Sequence, residues 1–136
     1  MYKRQALLDL DGLKRVNDAG SHADGDAALR AVAGAMAGAI RADDLIARYG
    51  GDEFVLVMPG TAPAEALTAV QRVVDAVAAL PAHAGFRVTA SAGVSTVAPG
   101  MVADPEWVLG EADAAMYRAK QAGGNRVVAA VPPGGG

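Results

Sequence analysis

Two apolar runs meet at a pair of glycines, and that junction constrains the fold of this 136-residue chain more than any other feature. Leu45-Ile46-Ala47-Arg48-Tyr49 leads into Gly50-Gly51, and Phe54-Val55-Leu56-Val57-Met58 leads away after Asp52 and Glu53. Strand-like runs joined through a Gly pair read as a β-hairpin, because glycine accepts the positive φ of a tight turn. Glycine also lets a ligand lie close to the backbone. Carboxylates at such a tip suit a hard cation of the kind phosphate chemistry requires. The plain alternative is a solvated acidic turn.

The flanking segments predict the rest of the sheet. Ala6-Leu7-Leu8 reads as a short buried strand ending in Asp9-Leu10-Asp11, followed by a loop or short helix through Asp18. Leu29, Val32, Ala33, Met36 and Ile40 share one helical face, with Asp24 or Asp26 near its start. After the hairpin, Leu67, Val70, Val74 and Val77 mark a second helix, with Pro63 in its first turn and Pro81 stopping it. Residues 86–97 alternate, with Phe86, Val88, Ala90, Ala92 and Val94 on one face, as in a strand. Asp104 and Pro105 open a third helix that buries Leu109, Ala112, Met116 and Ala119 and closes at Gly123-Gly124. Residues 126–131 form a last short strand. The order β-α-β-β-α-β, then α-β, predicts an α+β fold: a ferredoxin-like, palm-type core with a central antiparallel sheet and an extra C-terminal α-β unit. Residues 1–131 are expected to form a single domain, with 132–136 as a disordered tail.

Composition narrows the function classes. The chain is 52% apolar with only two Phe and one Trp, so its core is built from Ala, Val and Leu. A formal charge of -3 argues against a nucleic-acid polymer as partner. An anionic ligand then needs a metal or locally placed Lys and Arg. The absence of cysteine excludes disulfide and thiol chemistry. Residues 31–40 are too short and too rich in Ala and Gly to span a bilayer, and no apolar signal core follows Met1, so no membrane role and a cytoplasmic location are expected.

Asp9 and Asp11 lie two residues apart at a strand end, which places them on one face. In a ferredoxin-like sheet the first strand neighbours the hairpin, so Asp9 is expected to meet Asp52. Carboxylates so placed suit Mg²⁺ (or Mn²⁺), which completes its shell with phosphate oxygens and water. Unrelated loop acids are the alternative. Lys14 and Lys120 are the candidate phosphate partners, although Lys120 also complements a helix C-terminus. Asn17 and Asp26 can read a base edge, or serve as turn and cap residues.

These motifs together carry a resemblance. Gly50-Gly51-Asp52-Glu53-Phe54 spells the signature of the GGDEF family of diguanylate cyclases. Leu8-Asp9-Leu10-Asp11, Lys14, Val16-Asn17-Asp18, His22 and Gly25-Asp26 are similar to the family's first strand and the loop and helix after it. Residues 88–94 resemble its late strand and residues 112–120 its last helix, and the likeness runs from about residue 6 to residue 128. It implies a bacterial signalling enzyme whose two subunits, each holding one GTP, form cyclic di-GMP and release pyrophosphate. By the same resemblance, Asp9, Asp52 and the Leu10 carbonyl would hold Mg²⁺. Asp52 or Glu53 would act near the 3′-hydroxyl. Asn17 and Asp26 would read guanine, Gly12, Leu13, Lys14 and Lys120 would touch phosphates, and Gly51 would let the nucleotide lie on the hairpin. Arg41-Ala42-Asp43-Asp44 resembles the family's R-x-x-D inhibitory site for product, with Arg72 as a second contact.

The chain departs from the family in two places. Gly124 stands where the family usually has an Arg, so a triphosphate contact worth about 1.5–3 kcal/mol is expected to be missing. Arg126 is near, but strand alternation can aim it elsewhere. The family's opening helix and D-x-L-T-G-L-x-N-R segment do not precede the first strand here, so a fragment or a shortened member is expected. Signal input is then expected from outside the chain. The alternative to an active cyclase is a catalytically weak domain that binds cyclic di-GMP or GTP as a receptor.

Overall fold

The computed structural model describes residues 3–95 and 104–130. Along the chain run β1 (Lys3–Asp11), α1 (Leu13–Ala19), α2 (His22–Ala39), β2 (Leu45–Arg48), β3 (Glu53–Pro59), α3 (Pro63–Ala78), β4 (Thr89–Val94), α4 (Pro105–Gln121) and β5 (Arg126–Ala129). They build one five-stranded sheet in the order β2-β3-β1-β4-β5. The pairs β2–β3, β3–β1 and β1–β4 are antiparallel. The expected ferredoxin-like core is therefore present. β5 adds to β4 in parallel, which a crossover through α4 makes possible and which renders the sheet mixed overall.

Alternation along the strands separates two faces. Leu8, Leu10, Phe54, Leu56, Met58, Ala90 and Val94 face a core closed by Val32 and Met36 of α2 and by Val70, Val73, Val74 and Val77 of α3. Burying each large aliphatic side chain there contributes about 1.5–3 kcal/mol. On the opposite face Leu7 packs with Ala112 and Met116 of α4, and Val55 lies beside them. Gly93 is what lets α4 come so close. A Cβ at this position would run into the Ala112 carbonyl and the Met116 amide.

Several expected boundaries shift for physical reasons. β1 is longer than Ala6–Leu8 suggests because both its edges are paired, to β3 from Lys3 onward and to β4 from Ala6 onward. The strand expected over 86–97 shortens to Thr89–Val94. A tight turn at Ala84-Gly85, both at positive φ, folds Phe86 back to pair with His83 instead. Neither Asp24 nor Asp26 caps α2. Ser21 does, and Asp24 completes the capping box by accepting from the Ser21 amide at 2.9 Å. Residues 96–97 and 131, and the tail expected over 132–136, lie outside the described residues.

Candidate active site

Strand register assembles the site. Asp9 on β1 lies opposite Glu53 on β3, and Asp52 precedes Glu53 at the hairpin tip. The Leu10 amide donates to the Asp52 carbonyl at 2.9 Å, which fixes the tip against β1. As a result Asp9, Asp52 and Glu53 each offer a carboxylate oxygen within 4.8 Å of the others. Burial pushes the Asp9 carboxyl above its ordinary value, with the charges of Asp52 and Asp11 adding to it and Lys120 opposing. Glu53 is pushed up by burial, then by Asp9, Asp52 and Asp113. Crowded, partly desolvated carboxylates of this kind fit a hard divalent cation, whose charge would reverse both effects. The expected metal ligands Asp9 and Asp52 thus come together, and Glu53 joins them.

The turn itself is held by a residue to which the sequence reading gave no role. Arg48 donates from Nε to the Gly50 carbonyl at 3.0 Å, and from its terminal nitrogen to the Gly51 carbonyl at 2.6 Å. The Tyr49 amide donates to the Glu53 carbonyl at 2.8 Å. An Arg just before a turn whose carbonyls lack ladder partners is the signal that could have found it.

Asp11 does not join the carboxylate cluster, although it shares a face with Asp9. Its oxygens accept from Thr89 Oγ1 at 2.9 Å, Ser91 Oγ at 2.8 Å and the Asn125 amide at 3.1 Å. Lys120 Nζ completes the set at 3.0 Å, while also lying 3.1 Å from Asp9 Oδ1 and 3.4 Å from the Leu10 carbonyl. Burial alone would raise the Asp11 carboxyl, yet the Asn125 amide, Lys120, Ser91 and Thr89 hold it below its ordinary value. For Lys120, burial pulls downward, but its bonds to Asp11 and Asp9 outweigh that and raise it.

Beside Asp52 opens a shallow concavity of about 340 Å³ lined by Leu13, Lys14, Asn17, Leu29, Arg48 and Gly51. Four of the residues expected around a nucleotide therefore surround one space. Gly12 sits at the head of α1 with φ 88, a backbone only glycine adopts easily. Asn17 leans on α2 at Gly25, where a Cβ would collide with its amide oxygen. Asp26 is exposed, one residue beyond Gly25, and does not line the concavity. Lys120 pairs with Asp9 and does not line the concavity either.

A second concavity, about 350 Å³, brings Arg41 and Arg72 together with Glu65 and Thr68. Asp44 lies behind Arg41, its side chain 1% exposed, and takes a salt bridge of 3.1 Å from the guanidinium. Arg41 also donates to Thr61 Oγ1. The pattern read from sequence thus forms a real pair, braced from behind. Gly124 has φ 76, and a Cβ there would stand 3.0 Å from Asp11 Oδ2, so this position faces Asp11. Arg126 turns back, its Nε donating to the Gly124 carbonyl at 3.0 Å.

The profile of the family described as "Diguanylate cyclase, GGDEF domain" matches residues 5–126. The chain belongs to the GGDEF family. Among its relatives, this GGDEF domain is 44% identical over 127 residues to the response regulator PleD of Caulobacter vibrioides, covering 90% of the chain and 28% of the relative. It is 41% identical over 125 residues to the diguanylate cyclase DgcP of Pseudomonas aeruginosa, covering 90% and 18%. The chain therefore spans less than a third of the length of either protein. Its structure resembles the diguanylate cyclase SiaD of Pseudomonas aeruginosa, solved with its activator SiaC, at TM-score 0.85 and 37% identity over 94% of this chain and 50% of that one. It also resembles the GGDEF domain of DgcB from Caulobacter crescentus, solved in complex with c-di-GMP, at TM-score 0.83 and 32% identity over 93% and 77%. Among the described residues, no helix is long and apolar enough to cross a membrane.

Proposed function

We propose that this chain is the catalytic domain of a diguanylate cyclase, condensing two GTP molecules into cyclic di-GMP. The observation that carries this reading is the convergence of Asp9, Asp52 and Glu53 beside a concavity lined by Lys14 and Asn17. In each half-reaction the 3′-oxygen of one GTP forms a bond to the α-phosphorus of the other. The bond from that phosphorus to the β-bridging oxygen breaks, and pyrophosphate leaves with the electron pair. The hydroxyl proton passes to a carboxylate, Asp52 or Glu53, both of which stand in the cluster. Mg²⁺ or Mn²⁺, held by Asp9, Asp52 and the Leu10 carbonyl with Glu53 in reach, would ease loss of that proton and stabilise charge on phosphate.

The remaining roles belong to binding. Asn17 and Asp26 read the guanine edge, Lys14, Lys120 and the backbone at Gly12 and Leu13 hold phosphates, and Gly51 leaves room over the hairpin. One domain carries one such site and the product needs two nucleotides, so two copies face each other as a homodimer. Arg41, Asp44 and Arg72 form the inhibitory product site, where paired guanidiniums suit phosphate and guanine acceptors. The domain works in the cytoplasm, on nucleotides rather than a nucleic-acid polymer or a membrane.

Incubation with GTP and Mg²⁺ tests the reading by mass spectrometry. Cyclic di-GMP should form, and Asp52→Ala should abolish it. No product at high protein concentration would overturn it. One observation favours a second reading, a weak domain acting as a receptor for cyclic di-GMP or GTP: position 124, which faces Asp11, carries no charge. Both readings expect cyclic di-GMP to bind and Arg41→Ala to weaken that binding in calorimetry; turnover separates them, since a receptor binds while making no product.

A further inference from the structure

Lys120 and the carboxylate cluster share oxygens. Its Nζ lies 3.1 Å from Asp9 Oδ1 and 3.4 Å from the Leu10 carbonyl. Those are two of the three groups assigned above to the divalent cation, and this inference rests on that assignment. An ammonium and a divalent cation drawn to the same oxygens repel each other, so full occupancy by one weakens the other. Lys120 has a second counter-charge at 3.0 Å in Asp11. That carboxylate stands outside the group of Asp9, Asp52 and Glu53 and is fixed by three donors besides Lys120. Thr89 and Ser91 reach it from β4, and the Asn125 amide reaches it from the turn before β5. Asp11 is thus a stationary anion beside a shared one.

We propose that Lys120 competes with the divalent cation for Asp9, and that Asp11 is the positioning residue that retains the Lys120 ammonium when Asp9 turns to the cation. Asp11 touches neither the cation nor the nucleotide. Its effect on metal binding passes through Lys120, which stays in the site as a positive charge for an anionic ligand rather than swinging into solvent. Without Asp11, the ammonium has Asp9 and the Leu10 carbonyl as its nearest acceptors and holds them more tightly against the metal.

Mn²⁺ binding without nucleotide, followed by electron paramagnetic resonance or calorimetry, tests this. Asp9→Ala first identifies the site by losing Mn²⁺ binding; if it does not, both the metal assignment and this proposal fall. With that loss established, Lys120→Met should bind Mn²⁺ several-fold more tightly than the wild type. The gain should exceed that of Lys14→Met, which removes an exposed cation from the neighbouring concavity. Asp11→Asn should bind Mn²⁺ several-fold more weakly, and Asp11→Asn/Lys120→Met should match Lys120→Met within about twofold, as expected where one residue acts only through the other. Unchanged affinity in Lys120→Met, or a gain no larger than that of Lys14→Met, overturns the competition and leaves the metal assignment standing. An Asp11→Asn penalty of equal size with and without Lys120 overturns the positioning role. Lys120 is partly exposed, so its variant decides the competition even where Asp11→Asn folds poorly.

Discussion

Asp9 and Asp11 are the same residue type two positions apart on one strand face, and their surroundings push them in opposite directions. Asp11 is depressed, so its ionised form stabilises the fold above the ordinary value of 3.8, and that contribution is lost as pH falls through its lower folded value. Asp11→Asn should therefore cost about 1–3 kcal/mol at neutral pH, as expected for lost hydrogen bonds to a charged group. The gap from the wild type should close below pH 3.8 in a series of thermal midpoints. Asp9 is raised, so the wild type loses stability as pH climbs from 3.8 through the folded value, and the loss persists above it. Asp9→Asn should be at least as stable as the wild type at neutral pH while making no product. A destabilised Asp9→Asn would contradict this account of the site. The sequence showed that both acids share a face. It could not separate them, because the donors that claim Asp11 come from Thr89, Ser91 and Asn125, far along the chain.

Among the elements, the hairpin was legible because its signals are local: apolar runs on both sides of a glycine pair. β4 was overread at its start because the alternation already begins at Phe86, which the Ala84-Gly85 turn pairs with His83 instead. Ser21 was missed as the cap of α2 because its partner Asp24 was itself a cap candidate. Two glycines make packing claims that can be measured. Gly93→Ala would press α4 off the sheet and should cost about 1–3 kcal/mol, an overpacking penalty read by urea denaturation. Gly25→Ala would displace the Asn17 amide. If Asn17 reads guanine, KM for GTP should rise well beyond any change in stability, and an unchanged KM would remove Asn17 from that role.

At the scale of the whole molecule, the βαββαβ core was legible from element order alone, since few topologies place a first strand beside a central hairpin. Dimerisation and product inhibition rest on the family and on the pairing of Arg41 with Arg72 in one concavity. A site completed by a second copy predicts that turnover per chain rises with protein concentration in the micromolar range and levels off as dimers saturate. A rate independent of concentration would mean that one copy suffices or that dimers are already complete, which sedimentation distinguishes. GTP condensation by the three clustered carboxylates is the proposal on which the other roles depend. Its most direct test is mass spectrometry of the chain incubated with GTP and Mg²⁺, beside Asp52→Ala at matched concentration. Cyclic di-GMP and pyrophosphate should form with the wild type and neither with the variant; product from both, or from neither, would overturn the proposal.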